Sequence, residues 1–379
     1  MNINERSVKK KEYIEWMRKS NISQWILYSD IENEIIEEAF QKSECFVSID
    51  DFNIDLNRFL QISKENPNDQ YSIKRSIQNI ERKPKIRSNR FQSIDSISLT
   101  TEKAFTNIEH KNNFVAQVSN YFKLIGWNSD NSILQMIVEK AIEGLIIEGK
   151  LIKKETEAEW MTHRLKQVKN LSVENIWNCC AYLYTRDSFL YREINKIMRH
   201  AASEDENKKE MWQSKIPTIG PFTWLLSELR KRNYVDTNIN VYRGLTLSDD
   251  LIKQFQSVES NVLCYFPAFT SVTSDPEVAN MYAGNVICHL SISADDGNDI
   301  SFLSQFPDEN EILIAPFLLF TVKSCIQNDE KWNIELISFV AEFTSLEVPK
   351  NSVDSTLTNT HSYESSDDSS ATSVNSFEI

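Results

Sequence analysis

Three short polar motifs in the second half of the chain contain the residues best suited to chemistry. In chain order they are Val241-Tyr-Arg243-Gly244, Phe269-Thr-Ser271-Val-Thr273 and Glu309-Asn-Glu311. An arginine can hold a phosphate or diphosphate because its planar guanidinium donates two hydrogen bonds at once. A carboxylate fixed in a dry cleft stabilises positive charge that develops on a substrate. Taken alone, each motif is equally typical of a strand end, a turn or a solvated strand edge, so their order and flanking residues matter most.

The ordered set resembles the ADP-ribosyltransferases, whose motifs are an Arg, a Ser-x-[Ser/Thr] and a Glu-x-Glu. The flanks extend this resemblance over roughly 170–345. Tyr182 to Arg199 (YLYTRDSFLYREINKIMR) is similar to the family's helical lead-in, and Gly297 to Phe317 (GNDISFLSQFPDENEILIAPF) is similar to its acceptor loop and catalytic strand. The resemblance implies an α+β catalytic domain, in which a helical lobe packs beside a split β-sandwich around an NAD+ cleft.

By this resemblance, Glu311 is the catalytic carboxylate. Cleavage of the nicotinamide–ribose bond passes through an oxocarbenium-like transition state, which Glu311 would face while holding the ribose 2′-hydroxyl. Glu309, the first Glu of Glu-x-Glu, would orient the acceptor, and its presence implies an arginine side chain. A guanidinium pKa above ~12 favours proton transfer to Glu309 as the new bond forms. Both carboxylates would share one face if the segment is extended.

The same resemblance assigns roles to the first two motifs. Arg243 would clamp the NAD+ diphosphate or the adjoining ribose, and the backbone of Gly244 would approach the nicotinamide amide closely. Ser271 would hydrogen-bond and orient Glu311. Thr273 joins the predicted cofactor-binding residues, since a hydroxyl is kept at the first and third positions of a motif that is more often Ser-Thr-Ser in the family.

Two aromatic residues complete the predicted site: Tyr282 would stack on nicotinamide, and Phe306 would touch the acceptor from the loop before Glu309. Other chemistries have little support. The sequence contains no GxGxxG, no GxxxxGK[ST], no GxSxG elbow and no Cys/His cluster with metal-ligand spacing. We therefore expect NAD+ as co-substrate, and no metal.

Two alternative functions stay open at this point. If water rather than arginine captures the ribose, the chain is an NAD+ glycohydrolase. A non-catalytic protein that only binds ADP-ribose is the second alternative. The intact Arg243, Ser271 and Glu311 weigh against it.

The first 80 residues resemble the WWE domain, a small α+β module that binds ADP-ribose. The matching segments are Trp16, WILY (25–28), IEEAF (36–40), FNIDLNRFLQ (52–61) and IKR (73–75). Helical spacing predicts a helix over 31–40, and period-two alternation predicts a hairpin of 46–49 with 52–56. Large aromatics dominate the burial of small domains, so Trp16 and Trp25 are expected in its core.

The WWE resemblance also implies a ligand pocket and a partner. The family's pocket positions fall on Tyr28, Phe52, Gln61 and Arg75. Phe52 stands where the family usually has a tyrosine, so one hydroxyl is missing. An ADP-ribose reader joined to a transferase suggests the hypothesis that the module recruits the enzyme to ADP-ribosylated proteins.

Periodicity and composition divide the chain into four parts. They are the WWE-like module at 1–80, a polar linker at 81–109, the catalytic domain at 110–348 and a disordered, acidic, Ser/Thr-rich tail at 349–379. Within the catalytic domain, helical periodicity covers 110–236 and strand periodicity covers 237–348. This order is typical of α+β organisation.

The overall charge favours protein partners over nucleic acid. The chain has 41 Lys plus Arg against 55 Asp plus Glu, a net charge of −14. Such a chain repels phosphate backbones and attracts basic proteins. It has no run of ~18 apolar residues, no secretory signal and no CxxC among its six cysteines. We expect an intracellular protein, cytoplasmic or nuclear, that is neither secreted nor membrane-bound.

Overall fold

The chain folds into an N-terminal module, a helical lobe and a nine-stranded sheet, which confirms the predicted α+β fold class. A computed structural model describes residues 13–78, 98–100, 113–124, 130–203, 205–229, 237–260, 262–304, 307–328 and 330–340.

The N-terminal module, residues 13–78, is a six-stranded antiparallel sheet with one helix. Its elements are β1 (Tyr13–Lys19), β2 (Trp25–Leu27), α1 (Asp30–Gln41), β3 (Phe46–Ile49), β4 (Phe52–Asp55), β5 (Leu60–Ser63) and β6 (Gln70–Gln78). The strand order is β2-β1-β6-β5-β4-β3. Helix α1 begins with a capping box, in which Ser29 and Glu32 each accept a hydrogen bond from the other's main-chain N–H. The predicted helix and hairpin are both present.

Only one of the two tryptophans predicted in the core of this module lies there. Trp16 is fully buried, and its ring stacks on Phe59 with 5.9 Å between the ring centroids. Trp25 is 41% exposed, so its prediction is wrong. It lies on the three-residue edge strand β2, which has a neighbour on one side only, and its ring is covered by the Lys74 ammonium at 4.4 Å. A cation over an aromatic face stabilises such a half-open position.

The helical lobe, residues 113–229, contains the predicted helices. They are α2 (Phe114–Tyr121), α3 (Asn131–Leu151), α4 (Glu155–Val168), α5 (Val173–Tyr184), α6 (Phe189–Ala201), α7 (Glu206–Ser214) and α8 (Gly220–Glu228). One stripe of α3 faces the core, with Ile137, Ala141 and Leu145 fully buried. Within the described ranges, no helix has the length and apolar character of a membrane span.

The nine-stranded sheet falls into two parts joined at one point. Its strands are β7 (Ser98–Thr100), β8 (Asn238–Leu245), β9 (Leu263–Tyr265), β10 (Thr270–Thr273), β11 (Val286–Ser293), β12 (Gly297–Asp299), β13 (Glu311–Ile314), β14 (Leu319–Asn328) and β15 (Lys331–Ser338). The order is β12-β13-β10-β8-β11-β15-β14-β9-β7. Strands β10 and β8 pair only through Thr273 and Tyr242. Two helices connect strands of this sheet: α9 (Asp249–Ser257) follows β8, and α10 (Pro276–Tyr282) follows β10.

Part of the segment predicted as a linker belongs to this sheet. Strand β7 pairs antiparallel with β9, with Leu99 opposite Cys264. Three residues give too short a period-two pattern to recognise in a polar sequence. The pairing depends on the sheet, because without β7 the strand β9 would be an edge strand with unpaired main-chain groups.

The N-terminal module packs on the helical lobe through acidic side chains. Helix α1 and the turn between β3 and β4 supply carboxylates, while the lobe supplies cations and N–H donors. The contacts are Glu32 and Asp50 with Lys154 (3.5 and 3.4 Å), Glu34 with Arg186 (3.5 Å), Glu38 with Trp160 Nε1 (3.2 Å) and with Arg164, and Asp30 with the main-chain nitrogen of Asp187 (2.9 Å). Ile31 is fully buried in the hydrophobic cluster of the lobe. Charge pairing and apolar burial therefore join these two units.

Two helices of the lobe receive a cap from outside their own first turn. The residue before α4 provides no side-chain cap, and Asp50 Oδ1 accepts from the Thr156 N–H at 2.8 Å instead. At the start of α6, Glu157 Oε1 accepts from the Phe189 N–H at 2.9 Å. Burial raises the pKa of Glu157 to about 7, against the opposing effects of the Phe189 N–H and Lys154. Helix α4 thus depends for its N-terminal cap on a residue of the N-terminal module.

Candidate active site

Arg243 lies near the end of β8, at the joint between the two parts of the sheet. Its side chain is buried, and Nη1 donates to the carbonyl oxygen of Ser271 on β10. Burial lowers the pKa of Arg243, while Tyr191 and Tyr184 partly oppose this. An arginine still stays protonated at neutral pH. The structure therefore holds a buried cation beside the second predicted motif.

The second and third motifs face each other across two antiparallel strands. Thr273 on β10 pairs with Glu311 at the start of β13, and Ser271 pairs with Leu313. Cross-strand partners and residues two apart share a sheet face, so Ser271, Thr273 and Glu311 lie on one side. All three are buried, with Glu311 only 4% exposed. The structure brings them together. The predicted hydrogen bond from the Ser271 hydroxyl to Glu311 stays a prediction.

Glu309 does not continue the strand that contains Glu311. It ends the 3-10 turn Pro307–Glu309, and Asn310 follows with a φ of 45°. The segment is therefore not extended, and the condition for two carboxylates on one strand face is not met. Asparagine accepts this left-handed backbone better than most residues. The backbone changes conformation between the two carboxylates, so they need not lie on one face of a strand.

The acceptor turn, residues 307–310, is tied to the second motif and to helix α10. The Thr273 hydroxyl donates to the Glu309 carbonyl oxygen at 2.7 Å and accepts from the Asp275 N–H at 3.0 Å. At the other end of α10, the Tyr282 hydroxyl donates to Glu309 Oε1. The predicted stacking of Tyr282 on nicotinamide stays a prediction, and its contact with Glu309 does not follow from the sequence pattern.

Gly244 has a packing requirement that the sequence did not show. A Cβ at this position would lie 2.2 Å from the Ala279 carbonyl oxygen and 2.4 Å from the Ala283 nitrogen. Both atoms belong to α10 or its end, so only glycine lets this helix rest on β8. The predicted approach of Gly244 to nicotinamide stays a prediction.

Aromatic residues of the helical lobe close one side of this region. The Tyr184 ring lies 5.4 Å from Phe269, just before β10, and 5.7 Å from Tyr191. Asn195 Nδ2 donates to the Tyr184 hydroxyl at 2.8 Å. In the sequence Tyr184, Tyr191 and Asn195 belong to the helical lead-in, where none of them is recognisable as a site residue. Their aromatic spacing beside the family motif is the signal that could have found them.

Comparison with known proteins identifies the family. A family profile described as NAD:arginine ADP-ribosyltransferase matches residues 151–343, a little over half of the chain. The chain belongs to this ADP-ribosyltransferase family. A WWE domain profile matches residues 14–75. Enzymes of the family use NAD+ as co-substrate. Both suspected resemblances are thereby confirmed.

Solved structures include several similar proteins. Exoenzyme S from Pseudomonas aeruginosa, in a complex with human 14-3-3 protein beta and carba-NAD, is 16% identical over 57% of this chain and 94% of its own, with a TM-score of 0.38. The effector XopAI from Xanthomonas axonopodis pv. citri is 15% identical over 59% and 97%, with a TM-score of 0.38. Vis toxin from Vibrio splendidus is 19% identical over 46% and 76%, with a TM-score of 0.33. A search of curated protein sequences found no match.

The WWE domain of this transferase places two of its four predicted pocket residues in direct contact. The Tyr28 hydroxyl donates to Gln61 Oε1 at 2.7 Å, and burial raises the pKa of Tyr28. Phe52 is half-buried at the start of β4. Arg75 pairs through Nε and Nη2 with both carboxylate oxygens of Glu37, each at 2.8 Å. The guanidinium predicted to bind a diphosphate is therefore already paired with a carboxylate.

Two further predictions concern Phe306 and metal binding. Phe306 lies outside the described residues. Among the residues that the structure describes, no group of three or more His, Cys, Asp or Glu side chains is arranged to hold a metal ion.

Proposed function

We propose that this chain transfers a single ADP-ribose from NAD+ to the arginine side chains of proteins and releases nicotinamide. The observation that carries the proposal is the pair of buried carboxylates that lie two residues apart, on either side of a left-handed residue. Glu309 and Glu311 are each 4% exposed, with the left-handed Asn310 between them. One carboxylate can face the ribose while the other receives the acceptor.

In the proposed reaction, the glycosidic bond between ribose C1′ and the nicotinamide nitrogen breaks, and nicotinamide leaves with the electron pair. Glu311 stabilises the positive charge on the ribose. A guanidinium nitrogen then forms the new bond to C1′ and releases a proton to Glu309. Arg243 holds the NAD+ diphosphate or the adjoining ribose through charge-assisted hydrogen bonds. The net charge of −14 supports this acceptor, because it attracts basic proteins.

We expect Glu309→Gln to lower the transfer of labelled ADP-ribose to agmatine by about 100-fold, because the variant cannot pair with a guanidinium or take its proton. Hydrolysis of NAD+ by water should fall much less. The matched control is Asp308→Asn, which changes the exposed carboxylate next in the chain. Label on protein arginine should survive hydroxide and be released by hydroxylamine.

Other outcomes favour the alternative functions. Free ADP-ribose without labelled agmatine or protein would identify an NAD+ glycohydrolase. A folded wild-type chain that releases no nicotinamide would favour a protein that only binds ADP-ribose.

We also propose that the WWE domain binds ADP-ribose on proteins that are already modified. The supporting observation is the Gln61 amide nitrogen, which is buried and has no hydrogen-bond partner within the described part of the chain. An unsatisfied buried donor costs about 1–3 kcal/mol, so a ligand oxygen that accepts from it would bind favourably. Because Arg75 is paired with Glu37, a diphosphate must compete with that carboxylate.

Gln61→Leu is expected to weaken ADP-ribose binding by at least about tenfold in a calorimetric titration, since it removes this donor. The exposed Gln24→Ala provides a control of the same residue type. A titration of the Arg243→Ala chain shows whether binding in the catalytic cleft contributes to the measured affinity for ADP-ribose. Equal affinity in the Gln61→Leu and wild-type chains would overturn the proposal.

A further inference from the structure

The contact between Tyr282 and Glu309 joins two buried side chains from distant parts of the sequence. Tyr282 is the last residue of α10, and Glu309 lies in the acceptor turn. Their side chains are 8% and 4% exposed, and the tyrosine hydroxyl donates to Glu309 Oε1. A hydrogen bond to an ionised carboxylate is stronger than one between neutral groups, more so where water is scarce.

Glu309 is held at its backbone as well as at its carboxylate. The Thr273 hydroxyl donates to the Glu309 carbonyl oxygen, and the Asp275 N–H donates to the same hydroxyl. Asp275 is the N-cap of α10 and accepts from the Glu277 N–H at 2.9 Å. The acceptor turn is therefore linked to both ends of one short helix: directly to Tyr282 at its end, and through the β10 hydroxyl of Thr273 to the N-cap residue Asp275 at its start.

The position of α10 is in turn fixed by β8. A Cβ on Gly244 would lie 2.7 Å from the Tyr282 carbonyl carbon, so the helix end rests directly on the strand. Arg243 precedes Gly244 on this strand. The same strand thus supports the predicted NAD+ clamp and the helix that places Tyr282.

We propose that Tyr282 is a positioning residue for the acceptor: its hydroxyl holds Glu309 Oε1 and so fixes the carboxylate that pairs with the arriving guanidinium. This inference rests on the proposed arginine acceptor. A carboxylate on a flexible side chain loses rotational freedom when it binds, and a preformed hydrogen bond reduces that loss.

The test is Tyr282→Phe in the full-length chain, which removes the hydroxyl and keeps the ring. At saturating NAD+, we expect the ratio of agmatine transfer to NAD+ hydrolysis to fall by about 10-fold to 100-fold. The KM for agmatine should rise. Tyr265→Phe, at a buried tyrosine on β9, controls for the loss of a hydroxyl in general.

A double variant separates positioning from a general structural effect. Tyr282→Phe should cause no further loss of transfer in a Glu309→Gln chain, because the contact has already lost its ionised acceptor. Equal losses of transfer and hydrolysis in Tyr282→Phe, with an unchanged KM for agmatine, would overturn the role of Tyr282 alone. Absence of transfer by the wild-type chain would overturn the arginine acceptor and, with it, this inference.

Discussion

Glu311→Gln is expected to lower NAD+ turnover by about 100-fold to 1000-fold, for transfer and hydrolysis alike. Glutamine keeps the size and hydrogen-bonding shape of the side chain but removes the negative charge that would face the ribose cation. Removing one preorganised electrostatic contact of this kind costs about 3–4 kcal/mol of transition-state stabilisation. Nicotinamide release, measured with and without agmatine, gives both rates.

The control for Glu311→Gln is Glu330→Gln, at an exposed position in the turn between β14 and β15. Its turnover should match that of the wild type. Since Glu311 is buried at the start of β13, thermal unfolding must show that the variant still folds. Turnover within about threefold of wild type in folded Glu311→Gln, together with loss in Glu309→Gln, would assign the charge-stabilising role to Glu309 instead.

The grouping of the three motifs follows from their order and their resemblance to the family. That resemblance implies that Arg243, Ser271 and Glu311 belong together, and the strands β8, β10 and β13 are consecutive in the sheet. The contact of Tyr282 with Glu309 could not be predicted in the same way. It depends on where α10 rests on β8 and on the left-handed turn at Asn310.

The parts of the fold that the sequence did not predict also depend on tertiary packing. Helix α1 and the hairpin β3–β4 follow from local periodicity and a cap, so they can be predicted from the sequence. The exposure of Trp25 depends on its place at the edge of a sheet, and the pairing of Ser98–Thr100 depends on the neighbouring β9. Likewise, the α1 residues that pack against the helical lobe look like an ordinary acidic helix face in the sequence. The local sequence pattern predicts a helix or a strand, but tertiary contacts decide which residues pack against it and which of its side chains stay exposed.

Deletion of residues 1–90 is expected to destabilise the transferase rather than merely remove a binding module. It would uncover the lobe cluster that buries Ile31 and would leave the Thr156 N–H without the Asp50 cap. Burying one isoleucine side chain stabilises by about 1.5–3 kcal/mol and one helix cap by about 1 kcal/mol. We therefore expect the unfolding temperature to fall by roughly 10 °C, measured by calorimetry or circular dichroism.

Point variants separate this docking from recognition of ADP-ribose. Asp50→Ala removes the cap of α4 and should lower the unfolding temperature by about 2–4 °C, whereas the exposed neighbour Asp51→Ala should not. Gln61→Leu leaves the contacts of α1 in place and tests recruitment to modified proteins more directly than the deletion does. A deleted chain that unfolds within about 2 °C of wild type would show that the interface contributes little. In that case, a loss of target labelling after deletion could be assigned to the WWE domain's binding of ADP-ribose.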